Sequence, residues 1–196
     1  MKRIIAMLIA TTLLVTGCGA GTARADKSAA APENTSENRQ ETEEAAMPEQ
    51  NQEESAIPGS YTVPKGWIKA EEYSTKEKIF YVEEGHENDT APDNISINVG
   101  TNKYGADEHM KFRDAIVRQL MMQLQGVDAQ LTGDGTYTQQ DYVVYIFTIE
   151  ESDVVTKQYY IVGDHRYCLI HLTNYTRSEN ADNAAQTIAD SFIWDD

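Results

Sequence analysis

The aromatic residues of this chain are confined to its C-terminal part, and this distribution constrains the fold more than any other feature. All 11 tyrosines, both tryptophans and all 4 phenylalanines of the 196 residues lie between Tyr61 and Trp194. A segment that lacks large apolar side chains cannot bury enough surface to offset the conformational entropy it loses on folding. The sequence therefore predicts one folded domain over residues 57–196, which is long enough to enclose a single hydrophobic core.

The first 18 residues have the pattern of an export signal. Lys2 and Arg3 precede an apolar run from Ile4 to Val15, which is shorter than the ~20 residues that a membrane-spanning helix needs. The run ends in Val15-Thr16-Gly17-Cys18. This ending resembles the lipobox of bacterial lipoproteins, in which small residues precede an invariant cysteine.

The lipobox resemblance implies that residues 1–17 are a lipoprotein signal peptide and that Cys18 becomes the first residue of the mature chain. A diacylglycerol group would then be attached to the Cys18 sulfur. Two or more acyl chains hold a protein at a membrane without any transmembrane helix. We therefore expect an extracytoplasmic protein that is anchored to the bacterial cell membrane by lipid. The alternative is an ordinary secreted protein whose signal happens to contain a cysteine.

Residues 18–56 are predicted to be the lipidated cysteine followed by a disordered acidic tether. After Cys18 the segment has no aromatic residue and carries nine acidic against three basic side chains. A flexible coil of this length has a root-mean-square reach of roughly 35 Å. A solvated helix over residues 39–46 is a local alternative, but it would have nothing to pack against.

The charge of the chain excludes one large class of partners. With 32 acidic and 16 basic residues the net charge is −16, whereas nucleic-acid binding needs a positive surface that displaces counterions from phosphate. The two cysteines cannot form a disulfide-stapled scaffold or a zinc cluster, and lipidation at Cys18 would leave Cys168 as the single free thiol. No cofactor is predicted, and the expected partners are neutral or cationic.

Apolar periodicity divides the domain into strands and two helices. Stripes of apolar residues at helical spacing predict helices over residues 108–125 and 182–192. Asp107 is expected to cap the first helix and Gly126 to end it. The predicted strands cover residues 60–63, 67–70, 78–82, 95–99, 130–139 (with a turn), 142–149, 154–162 and 166–175. Strands, a helix, further strands and a final helix make an α+β pattern, with an antiparallel β-sheet flanked by helices.

Two short segments of the domain resemble a known family. The segment from Tyr61 to Trp67 is similar to the aromatic-x-x-Pro-x-Gly-Trp opening of PsbP-like and DcrB-like domains, and the segment from Ile188 to Phe192 is similar to the end of their C-terminal helix. The resemblance implies an α-β-α sandwich, in which helices cover both faces of an antiparallel sheet. It also implies an accessory or assembly role, because PsbP-like proteins are mostly non-enzymatic and many bacterial members are lipoproteins.

The strands on either side of a predicted hairpin turn at Gly163-Asp164 divide their side chains between two faces. One set is nearly all apolar and should form the main core: Tyr159, Ile161, Cys168, Ile170 and Leu172. The other set contains the candidate ligand-binding residues Gln158, Tyr160, Tyr167 and His171, with Thr156, Leu169 and Thr173 beside them. A turn at Asp164-His165 would leave these faces unchanged.

A mixed aromatic and polar surface of this kind can bind a protein or a small molecule. The same face could instead be an ordinary semi-exposed surface, or could lie under the second helix. If it binds a partner, alanine at Tyr160 and Tyr167 should weaken that binding while the domain stays folded.

Short catalytic signatures of hydrolases, metalloproteases and phosphate-binding loops are absent from the sequence. We therefore predict that the protein is not an enzyme and that it acts as a lipid-anchored binding or accessory module of the cell envelope. One alternative is an envelope enzyme whose site is assembled from distant residues. Another is a divalent-cation site in the acidic loop over residues 83–93, where five carboxylates lie near His86, although no metal ligand is assigned.

Cys168 is expected to be a small buried hydrophobe.

Overall fold

Seven antiparallel strands form the central sheet of residues 57–195, the part of the chain that the computed structural model describes. In chain order the elements are β1 (Gly59–Ser60), β2 (Trp67–Lys69), β3 (Lys78–Glu83), β4 (Asn94–Thr101), α1 (His109–Gln123), β5 (Gln130–Tyr137), β6 (Val143–Glu150), β7 (Val155–Val162), β8 (Arg166–Asn174), α2 (Glu179–Asp190) and β9 (Ile193–Trp194). The predicted signal peptide, Cys18 and the tether lie outside the described residues.

The order of strands in the central sheet is β2-β3-β4-β8-β7-β6-β5. Strands β4 and β8 are distant in sequence, yet they pair continuously from Asn94 opposite Thr173 to Thr101 opposite Arg166. This long-range pairing joins the N-terminal strands to the C-terminal meander of β5 to β8. Strands β1 and β9 form a separate two-stranded sheet, which the sequence analysis did not predict.

One face of the sheet packs against α2 and forms the larger apolar cluster. Cys168, Ile170 and Leu172 of β8 are completely buried in it, and Tyr159 and Ile161 of β7 are buried beside them, as predicted. Helix α2 contributes small and apolar side chains, namely Ala181, Ala184, Ala185, Ile188 and Ala189. Small residues let a helix approach a sheet closely, and each buried apolar side chain is removed from water.

The opposite face of the sheet packs against α1. Phe112, Ile116 and Leu120 of α1 are buried against side chains of β6 and β7, among them Phe147 and Tyr160. This face therefore forms a second core where the first helix covers it, and it is not covered by the second helix. Because helices lie on both faces of an antiparallel sheet, the fold is an α+β sandwich of α-β-α layers, as predicted.

Helix α1 begins differently from the prediction. Asp107 does not cap it, because residues Ala106–Glu108 form a 3-10 turn before the helix and put Asp107 inside that turn. The backbone amide of Ala106 instead donates to Oδ1 of Asp164, 3.3 Å away. After α1, Gly126 has a positive φ of 82°, which a glycine adopts without strain, and the chain turns there as predicted.

Helix α2 begins at Glu179, three residues before the predicted start. Ser178 explains the difference, because its side-chain oxygen accepts a hydrogen bond from the amide of Asn180 at 3.1 Å. A serine in this position satisfies an amide that the first helical turn leaves unpaired. The buried Asn174 supports the cap, since its side chain accepts from the amide of Ser178 and donates to the Ser178 carbonyl.

Three strands or turns differ in detail from the sequence prediction. The predicted strand over 60–63 is reduced to β1, and β5 is a regular strand of eight residues. The β7–β8 turn is at Asp164-His165, because the amide of Gly163 donates to the carbonyl of Arg166 at 2.9 Å; the two faces are unchanged. No helix within residues 57–195 is long and apolar enough to cross a membrane.

Candidate binding site

Three polar side chains lie side by side on the α1 face in the middle of the sheet. His171 of β8 is directly opposite Ser96 of β4 on one side and Gln158 of β7 on the other. Side chains opposite each other in an antiparallel pair point to the same face and have Cβ atoms about 5 Å apart. We call Ser96, His171 and Gln158 the polar row. Phe80 and Phe147 continue it at either end.

The polar row brings together two of the four predicted binding residues, Gln158 and His171. The sequence analysis did not identify Ser96, which is a polar residue in an alternating strand, yet Ser96 is 2% exposed. No local pattern could have found the row, since it depends on the pairing of β4 with β8 across more than 70 residues of chain.

Tyr160 is a core residue that also supports the polar row. It is 5% exposed, and its ring packs edge-on against Phe112 and Phe147 with centroids 5.9 Å away in both cases. Its hydroxyl donates to Oε1 of Gln158 at 3.0 Å, so the amide group of Gln158 is held in place. Burial raises the pKa of Tyr160 well above its ordinary value, and the phenol therefore remains protonated.

Tyr167 lies at the far end of the same face, away from His171. Its ring is partly buried and packs against Phe112 at 5.3 Å and against Tyr160 at 5.6 Å. The opposite residue on β4 is Gly100, where a Cβ atom would come within 2.5 Å of the Tyr167 ring. Glycine at this position leaves room for the ring, so Tyr167 fills a gap in the second core.

His171 has a buried ring nitrogen that makes no hydrogen bond in the described part of the chain. The residue as a whole is of intermediate exposure, but its ring nitrogen Nδ1 is buried and has no hydrogen-bond partner within residues 57–195. Burial, with a smaller contribution from the positive charge of Lys78, lowers the pKa of His171 to about 4. The imidazole is therefore neutral near pH 7, with one ring nitrogen that accepts hydrogen bonds and one that donates them.

Lys78 adds a positive charge near the polar row. It lies on β3, its side chain is half-buried, and its Nζ atom is 4.8 Å from the centre of the Phe80 ring. Burial lowers the pKa of Lys78. A cation that is partly removed from water interacts more strongly with an anionic or polar group than a fully solvated one does.

The polar row places a serine opposite a histidine, as in part of a hydrolytic triad, but no hydrogen bond joins their side chains within the described residues. Ser96 is opposite a histidine, yet the third residue is the amide Gln158 and not a carboxylate. A general base works best with a pKa near the pH at which it acts, and the pKa of His171 is about 4. The arrangement is therefore suited to binding a polar group.

Cys168 lies on the other face of the sheet and takes no part in this site. It is completely buried, as predicted, and burial raises its pKa far above the ordinary value. A nucleophilic cysteine needs access to solvent and a stabilised thiolate. Cys168 has neither.

The carboxylates of the acidic loop over residues 83–93 make different contacts. His86 Nδ1 is 2.8 Å from Oδ2 of Asp89, and both side chains are exposed. Asp93 instead points into the protein, where it accepts hydrogen bonds from the amides of Tyr175 and Thr176 and from the Thr176 hydroxyl. Within the described part of the chain, no three histidine, cysteine, aspartate or glutamate side chains are grouped closely enough to hold a metal ion.

Comparison with known proteins gives similarities of fold only. No model of a known protein family matches the chain, and no protein of curated function matches it. The solution structure of cyanobacterial PsbP (CyanoP) from Synechocystis sp. PCC 6803 is 13% identical, covers 70% of this chain and 86% of that chain, and superposes with a TM-score of 0.46. A crystal structure from Bacteroides thetaiotaomicron VPI-5482 is 14% identical, covers 71% of this chain and 46% of that chain, and has a TM-score of 0.41.

Proposed function

We propose that this chain is a lipid-anchored, non-catalytic binding module of the bacterial cell envelope. Attachment through Cys18 is supported by the lipobox-like sequence, and the acidic segment up to residue 56 would act as a spacer. The resemblance of the segment from Tyr61 to Trp67 to PsbP-like domains supports an accessory role. The ligand is a small polar molecule or a protein side chain that is bound at the polar row.

The observation that carries this proposal is the unpaired nitrogen of His171. A buried polar atom without a hydrogen bond costs about 1–3 kcal/mol, and native proteins rarely keep such an atom without a reason. Nδ1 of His171 is buried and lacks a partner within residues 57–195, while the residue as a whole is of intermediate exposure. A ligand that supplies the missing hydrogen bond would recover this free energy on binding.

Residues next to His171 would orient and attract the ligand. Gln158 is held by the hydroxyl of Tyr160, so its NH₂ group is oriented to donate to a ligand. Lys78 would attract a negative or strongly polar group. Tyr160 and Tyr167 act as supports of the site through ring packing, so they do not contact the ligand.

Native mass spectrometry of the full chain, purified in mild detergent from the membranes of a bacterial host, tests the proposal. The expected result is a bound small molecule or peptide on the wild type that is lost from the His171→Leu variant. His86→Gln is the matched control, because it removes an exposed histidine that is not part of the polar row. The same bound species at the same occupancy in His171→Leu would contradict the proposal, and conversion of that species on incubation would favour the enzyme alternative.

A further inference from the structure

Strand β5 is an unprotected edge of the central sheet. It pairs with β6 along one side only, over eight residues from Gln130 opposite Glu150 to Tyr137 opposite Val143. Seven of its eight residues are exposed and only Leu131 is partly buried. The opposite edge, β2, is only three residues long. β5 is therefore the long edge where the backbone of another strand could pair.

The outward-facing backbone groups of β5 can be identified from the hydrogen bonds at its end. The amide of Thr138 donates to the carbonyl of Tyr142 at 2.9 Å, and antiparallel pairs alternate between hydrogen-bonded and non-hydrogen-bonded residues. Leu131, Gly133, Gly135 and Tyr137 therefore direct their N–H and C=O groups away from β6. These four residues form a regular row of backbone donors and acceptors along the edge of the sheet.

Natural proteins protect such edges with proline, lysine, bulges or very short strands. β5 contains no proline and no lysine, and its pairing with β6 is uninterrupted by a bulge. Its one protective feature is Asp134, whose Oδ1 atom accepts a hydrogen bond from the amide of Gly135 at 2.7 Å. The Asp134 carboxylate thus already accepts a hydrogen bond from one of the four outward-facing amides.

The charge around β5 indicates what kind of strand could pair with it. From residue 119 to residue 156 the chain has six acidic residues and no lysine, arginine or histidine. This stretch contains all of β5 and β6. The nearby cation Arg113 of α1, 5.8 Å from the centre of the Tyr145 ring, is paired with Asp114 at 2.7 Å. A second copy of the chain would bring two such acidic strands together at Asp134, whereas a cationic segment would be attracted to the edge.

We propose that β5 docks an extended, cationic polypeptide segment of a partner protein, which adds to the sheet as an eighth strand. The partner backbone pairs with the outward-facing groups of β5, as in other cases of strand addition. A partner carbonyl replaces the carboxylate at the amide of Gly135. Asp134 is then released and forms an ion pair with a lysine or arginine opposite it, on the same face of the extended sheet.

Two substitutions at Gly135 separate the backbone contribution from the effect of a side chain. Gly135→Pro removes the outward-facing N–H without removing a bond to β6, and proline is tolerated at such edge positions. Gly135→Ala keeps the N–H, and its Cβ atom would lie 3.7 Å from the Tyr145 ring, an ordinary contact. The alanine variant is therefore the matched control.

The binding assay is a fluorescence anisotropy titration of the full chain, purified in detergent, with short synthetic peptides. The probe is a peptide in which valine alternates with lysine, and the control peptide has glutamate in place of lysine. The acidic tether is present in every variant, so any attraction between the tether and the peptide is common to all of them. Circular dichroism checks that each variant is folded.

The lysine peptide is expected to bind saturably, and Gly135→Pro to weaken its binding about fivefold, the loss expected for one hydrogen bond. Gly135→Ala should bind as the wild type does. The Asp134→Lys variant provides a second test in case the proline variant does not fold. This variant should bind the glutamate peptide more tightly than the lysine peptide. Equal binding to wild type, Gly135→Pro and Asp134→Lys, no saturable binding, or a dimer that pairs through β5 in the absence of peptide would each overturn the proposal.

Discussion

Replacing Tyr160 with alanine is expected to lower the free energy of unfolding by about 3–5 kcal/mol, the range for removing a large buried aromatic side chain. The ring is 5% exposed and lies within 6 Å, centroid to centroid, of the rings of Phe112, Phe147 and Tyr167. Alanine would leave a cavity between α1 and the sheet. The loss comes from packing, so it should appear without any ligand.

Tyr160→Phe keeps the ring and removes only the hydroxyl that donates to Gln158 at 3.0 Å. The expected cost is about 1 kcal/mol, because one neutral hydrogen bond is lost and the Gln158 oxygen is left unpaired. In the double variant Tyr160→Phe with Gln158→Leu, both partners are removed. Its cost should be smaller than the sum of the two single variants, since the two residues are coupled.

Equilibrium unfolding in urea of a chain comprising residues 19–196, followed by tryptophan fluorescence, measures these differences. Trp67 and Trp194 are both buried and report on the folded state. A cost below ~0.5 kcal/mol for Tyr160→Ala would contradict this expectation, because surface substitutions usually fall in that range. It would mean that α1 does not cover this face of the sheet in solution.

Three further outcomes are expected. Cys168 should react with a thiol reagent in the native protein only as fast as the domain opens, because its thiol is buried and its pKa is raised; rapid labelling would contradict this. His171 has a pKa of about 4 in the folded state against an ordinary value of 6.5, so the unfolded chain takes up the proton first as the pH falls. The free energy of unfolding should therefore decrease by up to about 3 kcal/mol between pH 6.5 and pH 4, and urea titrations of His171→Leu should lack this component. Ser178→Ala should destabilise the domain by about 1 kcal/mol through loss of the α2 cap, whereas Ser152→Ala in an exposed loop should unfold at the wild-type urea concentration.

The sequence was informative where the structure depends on local patterns. The alternation of Cys168, Ile170 and Leu172 predicted which face of β8 is the core, and the two helices are within a few residues of their predicted positions. Side-chain alternation in a strand has a period of two, so a hairpin fixes both faces at once. The prediction therefore remained correct although the turn lies one residue further along.

The sequence was uninformative where the structure depends on contacts between distant segments. Nothing near Ser96 indicates that β4 lies beside β8, so the polar row could not be predicted. The burial of Tyr160 was missed for the same reason, because the residues that cover it belong to α1. Aromatic and polar residues on a sheet face read as an exposed surface until the helix above them is known.

The prediction of an Asp107 cap was wrong for a more local reason. An aspartate before a helix is a common cap, but here a 3-10 turn extends the helical region toward the N terminus by three residues. Such turns are common before α-helices. The short β1–β9 sheet also has no sequence signal, since two residues on each side are too few to show alternation.

Lipid attachment at Cys18 can be measured as the mass of the N-terminal peptide of the chain purified from the membranes of a bacterial host. We expect a peptide that begins at Cys18 and carries a diacylglycerol group on the cysteine sulfur. A peptide that still contains Met1, or an unmodified thiol at Cys18, would contradict the proposal that this domain acts as a binding module attached to the envelope by lipid.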